Sequence, residues 1–295
     1  MRLRTVYNQH KTDTGRWSSG IDKSDADKAK GVKKQQLQNV PKKLRDIFEA
    51  EPGWMFVGAD WAAIQFALIM RRAEKVVQSG YHWDLMERQQ RGELDPHRFL
   101  AAGYVGEENV TDEIRQLMKG YTYGRSFFGK PKTLGIEQGH NLAVSTGICD
   151  AHDRTYRLLE WQRAEVERAA QRRYVEAADG WRRWFWDMPT RGPDGWLVKP
   201  KPQEVLACAI QGDEGALFRW VAGNMVLELG PDGEIVDEVR MLTATYDSIA
   251  LECREESAPK WREWLVAQMQ AKCPFLDDLG FRVESKIGRN WKEIS

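Results

Sequence analysis

The order of apolar and polar positions changes period several times along the chain, and each change predicts an element. Residues 53–59, GWMFVGA, form a short apolar run of strand type, and 61–78 carry Ile64, Ala67, Leu68 and Val76 at helical spacing. Segment 111–128 opens on Thr111-Asp112-Glu113, whose hydroxyl and carboxylates suit a helix N-terminus. A long helical stretch is predicted over 153–188, ending near Pro189 and the turn signals of 191–195, and a further helix from Gln203 to Leu229. After a turn at Pro231-Asp232-Gly233, residues 239–253 read as two short strands meeting near Tyr246-Asp247. A helix over 256–272 and a strand, FRVESKI, close the chain. At the other end, residues 1–9 read as extended and 20–36 as a mobile polar loop. Strands at both ends around a helical middle predict an α+β fold, a sheet domain interrupted by a helical one.

Composition adds little until it is resolved by position. The 295 residues are 42% hydrophobic and 30% charged with net charge zero, which suits a folded cytosolic protein and by itself argues weakly against a nucleic-acid binder. Residues 1–45, however, hold twelve Lys or Arg and four Asp, so the first segment carries +8 and the remainder −8. That asymmetry fits a surface following a nucleic-acid backbone beside a carboxylate metal site, although charge alone slightly favours a solvated polar tail. No apolar run approaches the roughly 18 residues that span a bilayer, and no signal-peptide core follows the basic start. The expectation is a cytoplasmic protein with no membrane partner. The four cysteines form no CxxC pair, which indicates neither zinc site nor disulfide framework.

Two carboxylates raise a chemical question. Asp60 sits where the apolar strand gives way to the apolar helix, and Asp247 lies in LTATYDSIAL on similar strand-like sequence. Taken alone, each reads first as a cap or turn residue. If the two meet at one end of a sheet, their repulsion calls for a divalent cation, and carboxylates are natural Mg²⁺ ligands. The helix over 111–128 carries Arg115, Lys119, Tyr123 and Phe127 every four residues, a row of roughly 18 Å at about 1.5 Å per residue. Two cations followed by two aromatics suit a triphosphate with its sugar and base beyond, although aromatics taken separately are expected to turn into the core. Gly120 and Gly124 inside that helix suggest that something approaches its backbone closely.

Together these segments resemble the family A DNA polymerases of the DNA polymerase I type, collinearly over nearly the whole chain. The matching stretches are RTVYNQHKTDTGRWSS, LQNVP, FVGADWAAIQ (motif A), DPHRF, RQLMKGYTYG (motif B), AIQGDEGALF, ATYDSIALE (motif C) and GRNWKE. The resemblance implies an antiparallel palm sheet, residues 1–60 and 203–295, with helical fingers, 61–202, inserted, and neither thumb nor exonuclease domain. It implies a template-directed DNA polymerase that adds deoxynucleotides to a primer 3′-hydroxyl by a two-metal mechanism in DNA replication. Asp60 and Asp247 would bind two Mg²⁺ with help from the Trp61 carbonyl. His97, Arg115 and Lys119 would grip the dNTP triphosphate, Tyr123 would pack beside the sugar, and Phe127 would sit near the templating base. Arg16 and Gln211 would reach the minor groove of primer–template DNA. A separate polypeptide supplying the thumb is a further implied partner, as in a split viral replication gene acting in a host cytoplasm.

Departures from the family pattern sharpen the expectation. Gln65 replaces a glutamate that helps exclude the ribose 2′-hydroxyl, Tyr246-Asp247-Ser248 replaces His-Asp-Glu, and Ala207 stands where Asn is usual. Gln65 and the Asp-Ser pair lean towards a single-subunit RNA polymerase or a ribonucleotide-permissive enzyme; TGRWSS, LQNVP and GRNW lean more strongly towards the DNA enzyme. A non-catalytic DNA-binding remnant is the remaining rival, opposed by intact Asp60, Asp247, Arg115 and Lys119. WRRWFWD at 181–187 reads first as aromatics buried between helices, with stacking on unpaired template bases as the alternative. The charged helix around 160–176 is expected to be solvated. His10, His82, His140 and His152 show no ligand spacing.

Overall fold

A computed structural model describes residues 7–8, 12, 16, 18–19, 40–186, 191–192, 194–196, 198–229 and 238–295. The expected loop at 20–36 and turn at 231–233 lie outside them. The chain divides into two compact units, residues 1–64 with 213–295, and residues 65–212.

The first unit is built on a four-stranded antiparallel sheet in the order β6-β7-β3-β8, with β3 at Trp54–Trp61, β6 at Val239–Thr245, β7 at Ser248–Arg254 and β8 at Val283–Gly288. Having neighbours on both edges, β3 is buried at most positions, which explains its nearly continuous apolar sequence. Gly58 in its middle admits the C-terminal turn: a Cβ there would lie 2.9 Å from Ile294. Helix α9, Ala258–Gln270, packs on β3 and β8 and accepts the buried Trp61 indole N–H at the Met269 carbonyl, 2.8 Å away. Residues Tyr7–Asn8 (β1) and Ser18–Ser19 (β2) pair as a two-residue antiparallel ribbon.

The second unit is helical: α1 (Ile64–Val77, whose first residue belongs to the first unit), α2 (Tyr81–Gln90), α3 (Pro96–Val105), α4 (Asp112–Ser126), α5 (Pro131–Gln138), α6 (Leu142–Tyr156) and α7 (Leu159–Arg172). The single helix expected over 153–188 is instead the end of α6, then α7, then an antiparallel hairpin, β4 (Tyr174–Glu176) and β5 (Arg182–Trp184). Arg157 and Arg173 adopt left-handed φ values and stop α6 and α7, and Gly180 at φ 87° turns the hairpin. Residues 181–186 of WRRWFWD are therefore strand and turn, and their tryptophans are not buried between helices. Only Phe185 of its aromatics is buried, in a core with Val166, Val175, Val205 and Cys208. The charged surface expected here is present on α7, where Glu160, Arg163 and Arg172 are exposed. Helix α8, Pro202–Leu229, runs about 42 Å at 1.5 Å per residue and is buried over most of residues 205–218, with the carboxylates of Asp213 and Glu214 inside. Gly212 on it lets the hairpin approach; an added Cβ would stand 3.0 Å from that of Ala177.

Candidate active site

In the first unit the fold brings the two aspartates of the sequence pattern together. Asp60 is paired with Ser248 across β3 and β7, and the backbone N–H of the next residue, Trp61, donates to the Asp247 carbonyl at 3.0 Å. Asp247 occupies the β6–β7 turn, which Tyr246 enters with a left-handed φ of 55°. Glu284 faces Asp60 from the other side, directly opposite it on β8. Protein packed around the strand end desolvates the Asp60 carboxylate, and Asp247 and Glu284 repel it. Its pKa is raised to about 6 despite Lys286 and Lys42, although its surface stays open to solvent. Crowded like charges with open oxygen donors are a donor set for a hard divalent cation. No group of three His, Cys, Asp or Glu side chains disposed to hold a metal occurs among the described residues.

Arg16, expected at the DNA minor groove, is engaged by the protein. Its guanidinium pairs with the buried Glu214 of α8 and lies over the Tyr246 ring, 4.9 Å from the centroid. Gln211, three residues before Glu214, is half-buried on the same helix.

In the second unit, Asp95 organises the cationic row. It caps α3 by accepting the N–H groups of His97 and Arg98 at 2.9 and 2.8 Å, and its other oxygen accepts from Arg115 Nε and Nη2 at 3.0 and 2.6 Å. Burial alone would raise the Asp95 pKa, but Arg115 and the cap hold it below the usual carboxylate range. Arg115 and Lys119 lie on the outer side of α4, whose buried side carries Met118, Tyr121, Thr122 and Ser126. Tyr123 stays half-exposed and meets His97 edge-on at 5.6 Å, while Phe127 is half-exposed at the C-cap, one residue beyond the helix expected to reach 128. The aromatic that turns into the core is Tyr121, not either member of the row. Gly120 and Gly124 are approached by α5, where their missing Cβ atoms make room for Gln138 and Leu134. Gln65 is half-buried in the first turn of α1.

His97 is 7% exposed, bonds through Nδ1 to the Thr122 hydroxyl at 3.1 Å, and has its pKa lowered to about 4. Burial is the main cause; Arg115 and Lys119 add to it and Asp95 opposes it. At neutral pH it is an uncharged imidazole. Below about pH 6.5 the unfolded chain binds a proton that the folded chain refuses, so stability falls as pH drops from about 6.5 towards 4. The full loss is about 3 kcal/mol. Denaturant unfolding of His97→Gln should show a shallower acid slope than the unchanged protein; parallel slopes would refute the assignment.

Three contributors escaped the sequence pattern: Asp95, Glu214 and Glu284. Asp95 alone left a signal, an Asp immediately before a Pro, which is an N-cap followed by a first-turn proline. The unassigned His82 and His152 are buried structural groups, bonded to the Tyr156 carbonyl and to the Ser126 hydroxyl.

Comparison with known proteins follows the same outline. The model of DNA polymerase family A matches residues 1–293. DNA polymerase I of Pseudomonas aeruginosa is 25% identical over 99% of this chain and 30% of its own length, and the thermostable DNA polymerase I of Thermus filiformis 24% over 99% and 32%. The chain thus spans about a third of the curated relatives it matches. The solved polymerase domain of Pol1 from M. smegmatis, in complex with DNA primer-template and dNTP, superposes with a TM-score of 0.78 at 21% identity. It covers 99% of this chain and 48% of that one.

Proposed function

We propose that this chain, which belongs to DNA polymerase family A, extends a primer 3′-hydroxyl with deoxynucleotides under the direction of a DNA template. The observation that carries the reading is the meeting of Asp60 and Asp247 at one end of the sheet, close enough that one charge raises the pKa of the other. Two Mg²⁺ ions, when bound, would sharpen the attacking oxygen and neutralise the leaving one. Asp60, Asp247 and the Trp61 carbonyl are the residues that would hold them. Strand pairing holds the Asp60 and Asp247 backbones near each other before anything binds, which would leave less reorganisation for the reaction.

The second unit supplies a triphosphate grip. Arg115 is pre-oriented by Asp95, Lys119 adds an exposed charge, and His97 contributes a neutral hydrogen-bonding imidazole. Tyr123 would flank the sugar and Phe127 the templating base. Arg16 and Gln211 would face minor-groove acceptors, with Arg16 steadied by Glu214 and Tyr246. Extension of a labelled primer with Mg²⁺ and dNTPs, against Asp60→Ala and Asp247→Ala controls, tests the reading. Extension surviving either substitution would sink it.

Gln65 adds a second expectation, relaxed sugar selection. A neutral amide can donate to a ribose 2′-hydroxyl where a carboxylate could only accept. Single-nucleotide insertion should show rNTP incorporation within a smaller factor of dNTP incorporation than Gln65→Glu gives, by about tenfold for one hydrogen bond to a charged group. An unchanged ratio would remove Gln65 from sugar selection.

A further inference from the structure

The outward face of the β4–β5 hairpin is aromatic where a solvated face is normally polar. Directly opposed residues share a face, which groups Tyr174 with Trp184 and Glu176 with Arg182 on one side, and Val175 with Arg183 on the other. Continuing the alternation, Phe185 joins Val175 in the core, both 2% exposed, and Trp186 follows Trp184 outwards. Trp186 is 75% exposed. Its ring stacks on that of Trp184 at 4.4 Å and 10°, Tyr174 leans on Trp184 at 4.7 Å, and the Arg182 guanidinium covers Tyr174 at 4.6 Å. The result is a continuous ladder, cation to phenol to indole, ending in an indole open to solvent.

We propose that this ladder is a stacking platform for unpaired nucleobases of a single nucleic-acid strand; resting on the polymerase reading, that strand is template not yet copied. A near-parallel indole pair offers the next base the same kind of stack that bases offer one another, with no demand on base identity. Charge favours a polyanion over an apolar peptide: residues 171–186 hold four Arg against Glu176 and Asp179, net +2 from four minus two, with Arg183 on the core side paired to Glu204. Arg172 and Arg182 are exposed. The Glu176–Arg182 pair on the same face is solvent-exposed and therefore easily exchanged for a phosphate.

Fluorescence anisotropy with a labelled oligothymidylate, and with an abasic oligonucleotide of equal length, tests the proposal. Trp186→Ala should weaken oligothymidylate binding about tenfold and leave abasic binding unchanged. Trp184→Ala/Trp186→Ala together should weaken it further. At its exposure, Trp186 can be removed without endangering the fold, which an unchanged unfolding midpoint verifies. No loss, or equal loss for both oligonucleotides, would overturn the platform. Primer extension across a one-nucleotide overhang is measured in parallel. If unaltered protein fails there while base-dependent binding is lost on substitution, the polymerase reading falls and the platform stands.

Discussion

Asp60→Asn is expected to abolish Mg²⁺-dependent primer extension and, in the same molecule, to raise thermal stability. Loss of a proposed metal ligand would remove several kcal/mol of charge stabilisation, a fall of about 10³-fold or more in rate. The stability gain follows from the sign of the pKa shift. An aspartate raised from about 3.8 to about 6 binds its proton more readily folded than unfolded, so stability is lost as pH rises through that window. At pH 7 the ionised carboxylate costs the fold about 1 kcal/mol after allowance for the solvent that still reaches it. Removing the charge should raise the Tm by about 2–4 °C at pH 7 and change nothing near pH 3.

Magnesium provides the complementary measurement. Mg²⁺ at ten times its Kd should stabilise the unchanged protein by about 1.4 kcal/mol and Asp60→Asn hardly at all. A variant that lost activity without gaining stability, or that still responded fully to Mg²⁺, would show that Asp60 is a structural residue. Glu284→Gln separates the two effects, because it relieves repulsion on Asp60 without removing a proposed ligand.

How far the sequence could be read depended on the range of the interaction. The strand at 54–61 and the hairpin meeting at Tyr246-Asp247 were legible because apolar runs bounded by turns leave a local record. The approach of Asp60 to Asp247 was legible only as a possibility, since register across β3 and β7 has no one-dimensional signature. Glu284 is the clear case. Nothing near it in sequence marks it, yet one strand pairing puts it opposite Asp60. The β4–β5 hairpin failed for another reason. Three residues per strand are too few to establish a period of two inside a charged, helix-forming context. Asp179-Gly180, where Gly180 takes a left-handed φ, is the one local turn dipeptide there, and it follows directly on a helix-forming run.

Arg115→Ala is expected to raise the KM for dNTP by about 10- to 150-fold, the value of one charge-assisted contact of 1.5–3 kcal/mol, with a smaller effect on single-turnover chemistry. The geometry allows a more discriminating experiment at Asp95, because one carboxylate has two duties. One oxygen caps α3 and the other orients Arg115. Asn is as good an N-cap as Asp, so Asp95→Asn keeps the helix start while removing the charge that clamps the guanidinium. If orientation matters, Asp95→Asn should raise the KM about tenfold with the unfolding midpoint little changed, whereas Asp95→Ala should lose about 1 kcal/mol of stability as well. Should Asp95→Asn instead lower the KM, the ion pair would be competing with the triphosphate for Arg115, and binding would have to break it first. An unaltered KM in both Arg115→Ala and Asp95→Asn would detach this row from nucleotide binding altogether.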